Sequence, residues 1–450
     1  MKKAVLLLCS LFVLPAIAQD HYSGVTTSKR VGILNATINP SELANLSKTY
    51  EVNVFSASAN ISNNKVGFGD LVNGSNLEDK IFEGSKSVNF NIDGQLTGPG
   101  FAMKKGDWGF AITSAAHIKA NVVDVNSELG RAITDDNFNA VLIPSLITNS
   151  QNQRVNATTW GEIGLSAARK IYEDDEHRIN GGITFKLLFP GSYANIGLSN
   201  FAGTISYSPD GLRLNNVNNA NLNLAYSGSL AENFKDTSDY FQSLFGNLNG
   251  ISKDIGFDYQ WKDADTESYK LKVGASVKNI ESMTFKDENN VSRNYSLNIN
   301  EAPGGGLNLN DFNNVDGLED IENVLLDSGY LTLNNEKKDF KAKLPTLFNL
   351  YADYSFIPKL SVTVFWQQKM KNDDKDNQQI TAQNSFTIIP RTYLGIFEVY
   401  VPVAFNEISG TTAGLGLSVG GFFIGSNSII TAAADSNQAD AYIGYRFGFL

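Results

Sequence analysis

From Tyr50 onward, apolar residues recur at every second position. Ser87 to Leu96 sets Val88, Phe90, Ile92 and Leu96 on one side of an extended chain and Asn89, Asn91, Asp93 and Gln95 on the other. Asn221 to Leu230 opposes Leu222, Leu224, Tyr226 and Leu230 to Asn221, Asn223, Ser227 and Ser229. In Tyr269 to Phe285, Tyr269, Leu271, Val273, Ala275, Val277, Met283 and Phe285 share a face interrupted by Asn279 and Glu281, and Lys270, Lys272, Ser276 and Lys278 take the other. The chain ends on Ile443, Tyr445, Phe447 and Phe449 opposite Tyr442, Gly444, Arg446 and Gly448. Strict alternation means strands buried on one side. Many of these run about ten residues or longer, the length a tilted strand needs to cross hydrocarbon, against about five to six in soluble proteins. The expected fold is therefore all-β: a transmembrane antiparallel β-barrel of about 14–16 strands, aromatic face to lipid and polar face to the lumen. Trp108, Trp160, Tyr172, Trp261, Tyr351, Tyr400 and Tyr445 fall near strand ends, as girdles at headgroup depth do.

The connections test the topology, because a bacterial barrel has short turns on one side, long loops on the other and an even strand count. Residues 105–107, 173–178, 263–267, 357–359, 391–393 and 425–427 read as short turns. Residues 122–154, 231–250 and 286–344 read as long loops. The two kinds alternate throughout if weak strands exist near Phe201 to Tyr207 and Ser428 to Ala434, so the rhythm favours sixteen over fourteen. Near-helical spacing predicts short inserts within Ser127 to Thr148 (Leu129, Ile133, Phe138, Val141, Leu142), Asp316 to Leu326 and Ser238 to Leu248. Such inserts either cover the mouth or pack on the rim.

The N-terminus changes the picture. Lys2, Lys3, the apolar run Ala4 to Leu14 and Ala16-Ile17-Ala18 make residues 1–18 a cleavable secretory signal peptide. The one cysteine, Cys9, sits inside it. Residues 19–49 do not alternate. Asn39-Pro40 marks a turn and Ser41 can cap a short helix through Leu46. The segment reads either as a surface arm or as a plug in the barrel mouth. It is assigned here as the plug, with Asn39 and Pro40 its marker residues and 50–450 as the barrel.

Net charge is −11, and loss of Lys2 and Lys3 leaves −13, which argues against nucleic acid as a partner. Hydrophobic content is 42% and mean hydropathy −0.18, with no later apolar run long enough for a spanning helix. Of the three histidines, His21, His117 and His177, none has metal-ligand spacing. His117 with a serine from a neighbouring strand is the one route to hydrolase chemistry. The alternative is a satisfied or solvated side chain. Gly414 to Gly420 lacks the strand-to-helix context of a nucleotide fingerprint. The acidic stretches Asn372 to Asn377 and Asp311 to Asp316 do not fit a calcium loop, since Val315 stands where an oxygen ligand is needed. No catalytic residue, metal or cofactor is assigned.

Asn39-Pro40 followed by Leu43, Trp160-Gly161-Glu162-Ile163-Gly164-Leu165 running into Arg178-Ile179-Asn180-Gly181-Gly182, Lys343-Leu344-Pro345-Thr346 and Gly420 to Ser426 together resemble the outer-membrane barrels of Bacteroidota. The likeness is to a family similar to PorV-type barrels, relatives of the FadL fatty-acid transporters. It implies about fourteen strands, an outer-membrane location and an N-terminal plug carrying Asn39 and Pro40, though Ser41 stands where FadL has Ala. Its functional implication is passage or handling of a hydrophobic or small solute, with outer-membrane lipid around the barrel and no covalent step. A scaffold barrel docking secretion-machine proteins is the second reading, and a lipid-modifying enzyme the third.

Overall fold

The computed structural model describes residues 21–73, 77–134, 145–209, 211–228, 245–263, 268–286, 290–300, 305–312, 315, 317–373 and 377–450. Residues 1–18, expected to be a signal peptide, Phe138, Val141 and Leu142 of the first helical insert and most of the Ser238 to Leu248 insert lie outside these residues.

Fourteen antiparallel strands close into a barrel. They are β1 (Tyr50–Asn63), β2 (Val88–Thr97 continued by Gly100–Lys105), β3 (Trp108–Val125), β4 (Gln153–Glu173) and β5 (His177–Ser199). Next come β6 (Val217–Ser227, then Gly250–Lys262), β7 (Tyr269–Ile280, Ser282–Phe285 and Val291–Ile299) and β8 (Leu331–Lys337, Phe340–Lys343 and Leu347–Ile357). The circuit continues with β9 (Leu360–Lys369), β10 (Ser385–Leu394), β11 (Phe397–Tyr400 and Val403–Asn406) and β12 (Gly410–Ala413 and Leu415–Val419). It ends with β13 (Phe422–Ser426) and β14 (Gln438–Phe449). β14 pairs with β1, Tyr50 opposite Phe449, so no edge is left unpaired.

Sixteen strands is therefore corrected to fourteen. Phe201–Ser208 is a strand, but it joins Ser145–Asn149, Gly211–Asn215 and Leu307–Asn308 in a separate four-stranded sheet. Ile429–Ala432 is a turn of helix. Two expected turns also move. Residues 391–393 lie within β10, which turns at Gly395, and 425–427 end β13 at the opposite rim. Gly106, Gly395 and Gly420 take left-handed φ values of 59°, 63° and 60° in the tight turns of the lower rim, where a side chain would be strained.

The outward face carries exposed apolar side chains, among them Phe110, Ile112, Leu165, Phe257, Phe386, Phe405 and Ile443. Trp108, Tyr172, Trp261 and Tyr445 form an exposed aromatic belt toward the lower rim. Trp160, Tyr351 and Tyr400 are not part of it: they are buried, on the lumen side of their strands. Their parity explains this. Trp160 shares its face with Glu162, and Tyr351 lies between outward Leu350 and Ala352.

At the upper rim the outward face of β2 to β7 does not meet lipid. It is covered by helices α1 (Leu77–Ile81), α2 (Ser127–Thr134) and α3 (Leu318–Asp327) and by the small sheet. Leu129 and Ala132 from α2, Ile147, Phe201 and Ile205 from the sheet and Leu318 and Leu325 from α3 share one core with Leu222, Leu224 and Leu297 of the wall. Each buried Leu contributes about 1.5–3 kcal/mol, which is what holds the cap down. The buried Glu322 of α3 also accepts bonds from Tyr295 Oη (2.5 Å) and Arg293 Nη1 (2.9 Å) on β7. The described parts of two inserts, α2 and α3, thus pack on the rim. The second of these, expected over Asp316 to Leu326, runs Leu318–Asp327 and stops before Gly329, whose φ is +73°.

Candidate functional site

The lower lumen holds residues 21–49, most of them buried, in short helical turns at Ser23–Thr26, Ile33–Thr37 and Pro40–Asn45. Asn39 Oδ1 caps the last of these by accepting from the backbone N–H of Ser41 (3.0 Å). Asn39 Nδ2 donates to Phe257 O (2.9 Å) and Tyr351 Oη (3.1 Å). Pro40 lies against Gly182 and Gly256, where a Cβ on Gly182 would come within 2.5 Å of the Pro40 carbonyl carbon. Gly109 stands in the same way against Leu43 O. Inward glycines are what let a second backbone approach the wall.

Ionic contacts fasten this segment to the wall. Glu42 meets Lys272 at 2.8 Å, both about 1–2% exposed, and accepts from Tyr351 Oη (2.5 Å). Ser28 donates to Glu398 (2.9 Å), which also pairs with Arg391 (2.9 Å), and Arg391 reaches Thr27 (2.7 Å). Ile33 N–H donates to Glu51 (2.8 Å), itself paired with Arg446 (3.2 Å). Burial pushes the Lys29 ammonium below its ordinary value, with the Asp353 carboxylate opposing. It sits 4.8 Å from the Tyr269 ring.

Above the segment lies a polar chamber of about 150 Å³. Ile33 and Thr37 form part of its floor, Gln383 and Ala382 part of its roof, and inward side chains of the wall its sides. The roof belongs to the connection after β9, which folds inward. Ile380 N–H donates to Lys343 O (2.9 Å), and Gln383 donates to Ser62 Oγ. Lys119 pairs with Asp93, Lys186 with Asp254 (2.9 Å) and with Glu162 (3.5 Å).

His117 lies here, stacked on Trp160 with ring centroids 4.4 Å apart and 3.6 Å from Glu162. No serine is hydrogen-bonded to it among the described residues. Instead His21 contacts Ser58 Oγ through Nδ1 (2.9 Å) and Asp93 through Nε2 (3.3 Å). Ser58 is buried and is not among the residues that line the chamber. His177 opens β5 at the lower rim and is bonded to Tyr259 Oη (2.8 Å). The described residues hold no group of three or more His, Cys, Asp or Glu placed for a metal ion.

A second space lies on the other side of the wall. A cavity of about 280 Å³ separates the cap from the outward face of β2 to β7. Phe90, Val122, Val155, Ile196, Leu222 and Leu297 form its wall side, and Phe201, Leu214, Leu309, Phe312 and Leu325 belong to the cap. Every side chain lining it is apolar except Gln153 and Arg154. Sequence reasoning missed this site. Alternation marked the wall residues as apolar, but nothing local says that a cap replaces lipid over them.

A search of the curated proteins returns no match. Among solved structures, the chain is similar to a TodX deltaS2S3 mutant described as a monoaromatic hydrocarbon channel, at 8% identity over 97% of this chain and 98% of that one, with a TM-score of 0.48. It is similar to the P. putida toluene transporter TodX at 9% identity over 93% and 94%, TM-score 0.42. It is similar to the Ralstonia pickettii toluene transporter TbuX at 10% identity over 93% and 94%, TM-score 0.39. The model of a family of unknown function, DUF5723, matches residues 43–427, and the chain belongs to that family.

Proposed function

We propose that the protein is an outer-membrane barrel that binds a small hydrophobic solute and hands it on without a covalent step. The lower rim faces the periplasm, the cap faces outward, and outer-membrane lipid surrounds the exposed apolar band. Residues 19–49 act as a plug, anchored through Asn39 and Pro40. One observation carries the reading: the cavity between cap and wall, whose apolar lining gains by removing an apolar molecule from water at roughly 25 cal/mol per Å² buried. A site of this kind needs shape and dryness, not a nucleophile.

The test is binding of 1-aminoanthracene, followed by fluorescence, to the protein in nanodiscs. Saturable binding is expected, weakened about ten-fold or more by Val155→Trp, which fills the cavity from the wall side. Wild-type protein that gives only lipid background, or full binding in Val155→Trp, would defeat the proposal.

A further inference from the structure

β9 ends at Lys369 and β10 begins at Ser385, and part of the connection between them does not lie on the surface. Connections normally run over the outside, where water satisfies their backbone. Here Gln379, Ile380, Thr381 and Gln383 are buried. Residues 378–384 form a strap across the lumen. Lys343 N–H donates to Gln378 O (2.9 Å), and Gln378 Nε2 donates to Ser292 Oγ (2.6 Å), so one end is held by β8 and β7. Gln383, near the other end, is tied to Ser62 of β1. β1 and β8 are seven strands apart in a circuit of fourteen, so the strap joins opposite walls.

Polar space lies on both sides of the strap. Below is the chamber described above, with Ala382 and Gln383 in its roof. Above is a vestibule of about 320 Å³, to which Asn64, Asp124, Lys369 and Glu407 contribute at or beside strand ends of the upper rim. Thr381, Ala382 and Gln383 form part of the vestibule's floor. The strap thus stands between the two spaces. Its fastenings are uneven. The base is pinned to the wall: Lys369 N–H donates to Asn384 Oδ1 (2.8 Å), and Asn384 N–H donates to Glu407 (3.1 Å). The span is held by hydrogen bonds and by one large apolar side chain, Ile380, set among Tyr193, Phe285 and Phe340. A segment with so little apolar burial opens at a lower free energy than the sheet around it.

We infer that residues 378–384 are an internal gate, held here in its closed position. Release of Ile380 and Gln383 lets the strap swing about Asn384 and joins the vestibule to the chamber. The lumen then holds a polar route, closed on the outer side by the strap and on the other by residues 21–49. This route is separate from the apolar cavity that carries the functional reading above, because that cavity lies outside the wall.

Cysteine accessibility in nanodiscs tests the gate. Cys9→Ser removes the chain's one cysteine, and single reporters are placed in the chamber (Thr113→Cys) and in the vestibule (Gln151→Cys). The probe is methanethiosulfonate ethyltrimethylammonium, and mass spectrometry follows its addition. The chamber reporter is expected to react at least about ten-fold more slowly than the vestibule reporter. Ile380→Ala is expected to speed the chamber reporter about ten-fold and to leave the vestibule reporter unchanged. Gln383→Ala, which cuts only the tie to β1, is expected to act in the same direction by a smaller factor. Heat-modified electrophoretic mobility confirms that each variant is a folded barrel. Equal rates for the two reporters in the parent, a chamber rate that neither substitution changes, or acceleration of both reporters alike would each overturn the inference.

Discussion

The two faces of the upper barrel wall are made by alternate residues of the same strands. Toward the cap stand Val122, Val155, Ile196 and Leu222. One residue away, toward the lumen, stand Asn121, Asn156, Asn195 and Asn223, joined in pairs: Asn121 donates to Asn156 (3.1 Å), Asn195 to Asn223 (2.7 Å), and Asn223 onward to Asn294 of β7 (3.0 Å). A sheet one residue thick thus separates an apolar cavity from a polar one. The outer face is held by burial, which is additive and tolerant of small changes of shape. The inner face is held by charges and amides, which are costly when left without partners. Substitutions should therefore behave differently on the two sides, and the following measurements would break or sharpen that contrast.

The largest effect is expected from Lys272→Met, which strands the buried Glu42 carboxylate. A loss of about 3–5 kcal/mol is expected in detergent unfolding, with most of it recovered in the double variant carrying Glu42→Gln as well. A double variant as unstable as the single would show that the pair is not the unit. On the outer face, Leu222→Ala is expected to cost about 2–4 kcal/mol by enlarging the cavity, without exposing residues 21–49 to protease. Gly182→Val comes next, at about 1–3 kcal/mol, because the new side chain meets the Pro40 backbone. Here the signature is accelerated proteolysis within residues 21–49, and an unchanged digestion pattern would count against close packing. Asn223→Ala is the smallest, about 1–2 kcal/mol, from an amide that bonds to both Asn195 and Asn294. A loss as large as that of Lys272→Met would remove the distinction between amide and ionic fastening.

Much of the wall was legible in the chain. The alternation of Ile443, Tyr445, Phe447 and Phe449 against Tyr442 and Gly444 set the outward and inward faces of β14, and the exposure of the first group follows it. Trp160, Tyr351 and Tyr400 were misplaced at the lipid boundary although their parity already put them on the lumen side, because aromatic character near a strand end was allowed to outweigh it. The strand count went wrong for a different reason. Period two in Phe201 to Tyr207 identifies an extended segment, and it does not name the sheet to which that segment hydrogen-bonds. The chambers were less legible still. His117 drew attention as a lone titratable residue, but its neighbours Trp160, Glu162 and Lys186 come from two other strands, brought opposite one another by registers the chain does not spell out.

The sequence by itself determined that side chains alternate between two faces and that one face is oily. Both follow from the geometry of an extended backbone, in which successive Cβ atoms point to opposite sides. Only the tertiary structure decided what each face would meet: lipid over Phe110 and Leu165, a cap over Val155 and Leu222, the N-terminal segment against Gly182, and a pool of opposed charges around His117. Those outcomes depend on segments far apart in the chain covering one another, and burial is a property of the covering surface as much as of the residue covered.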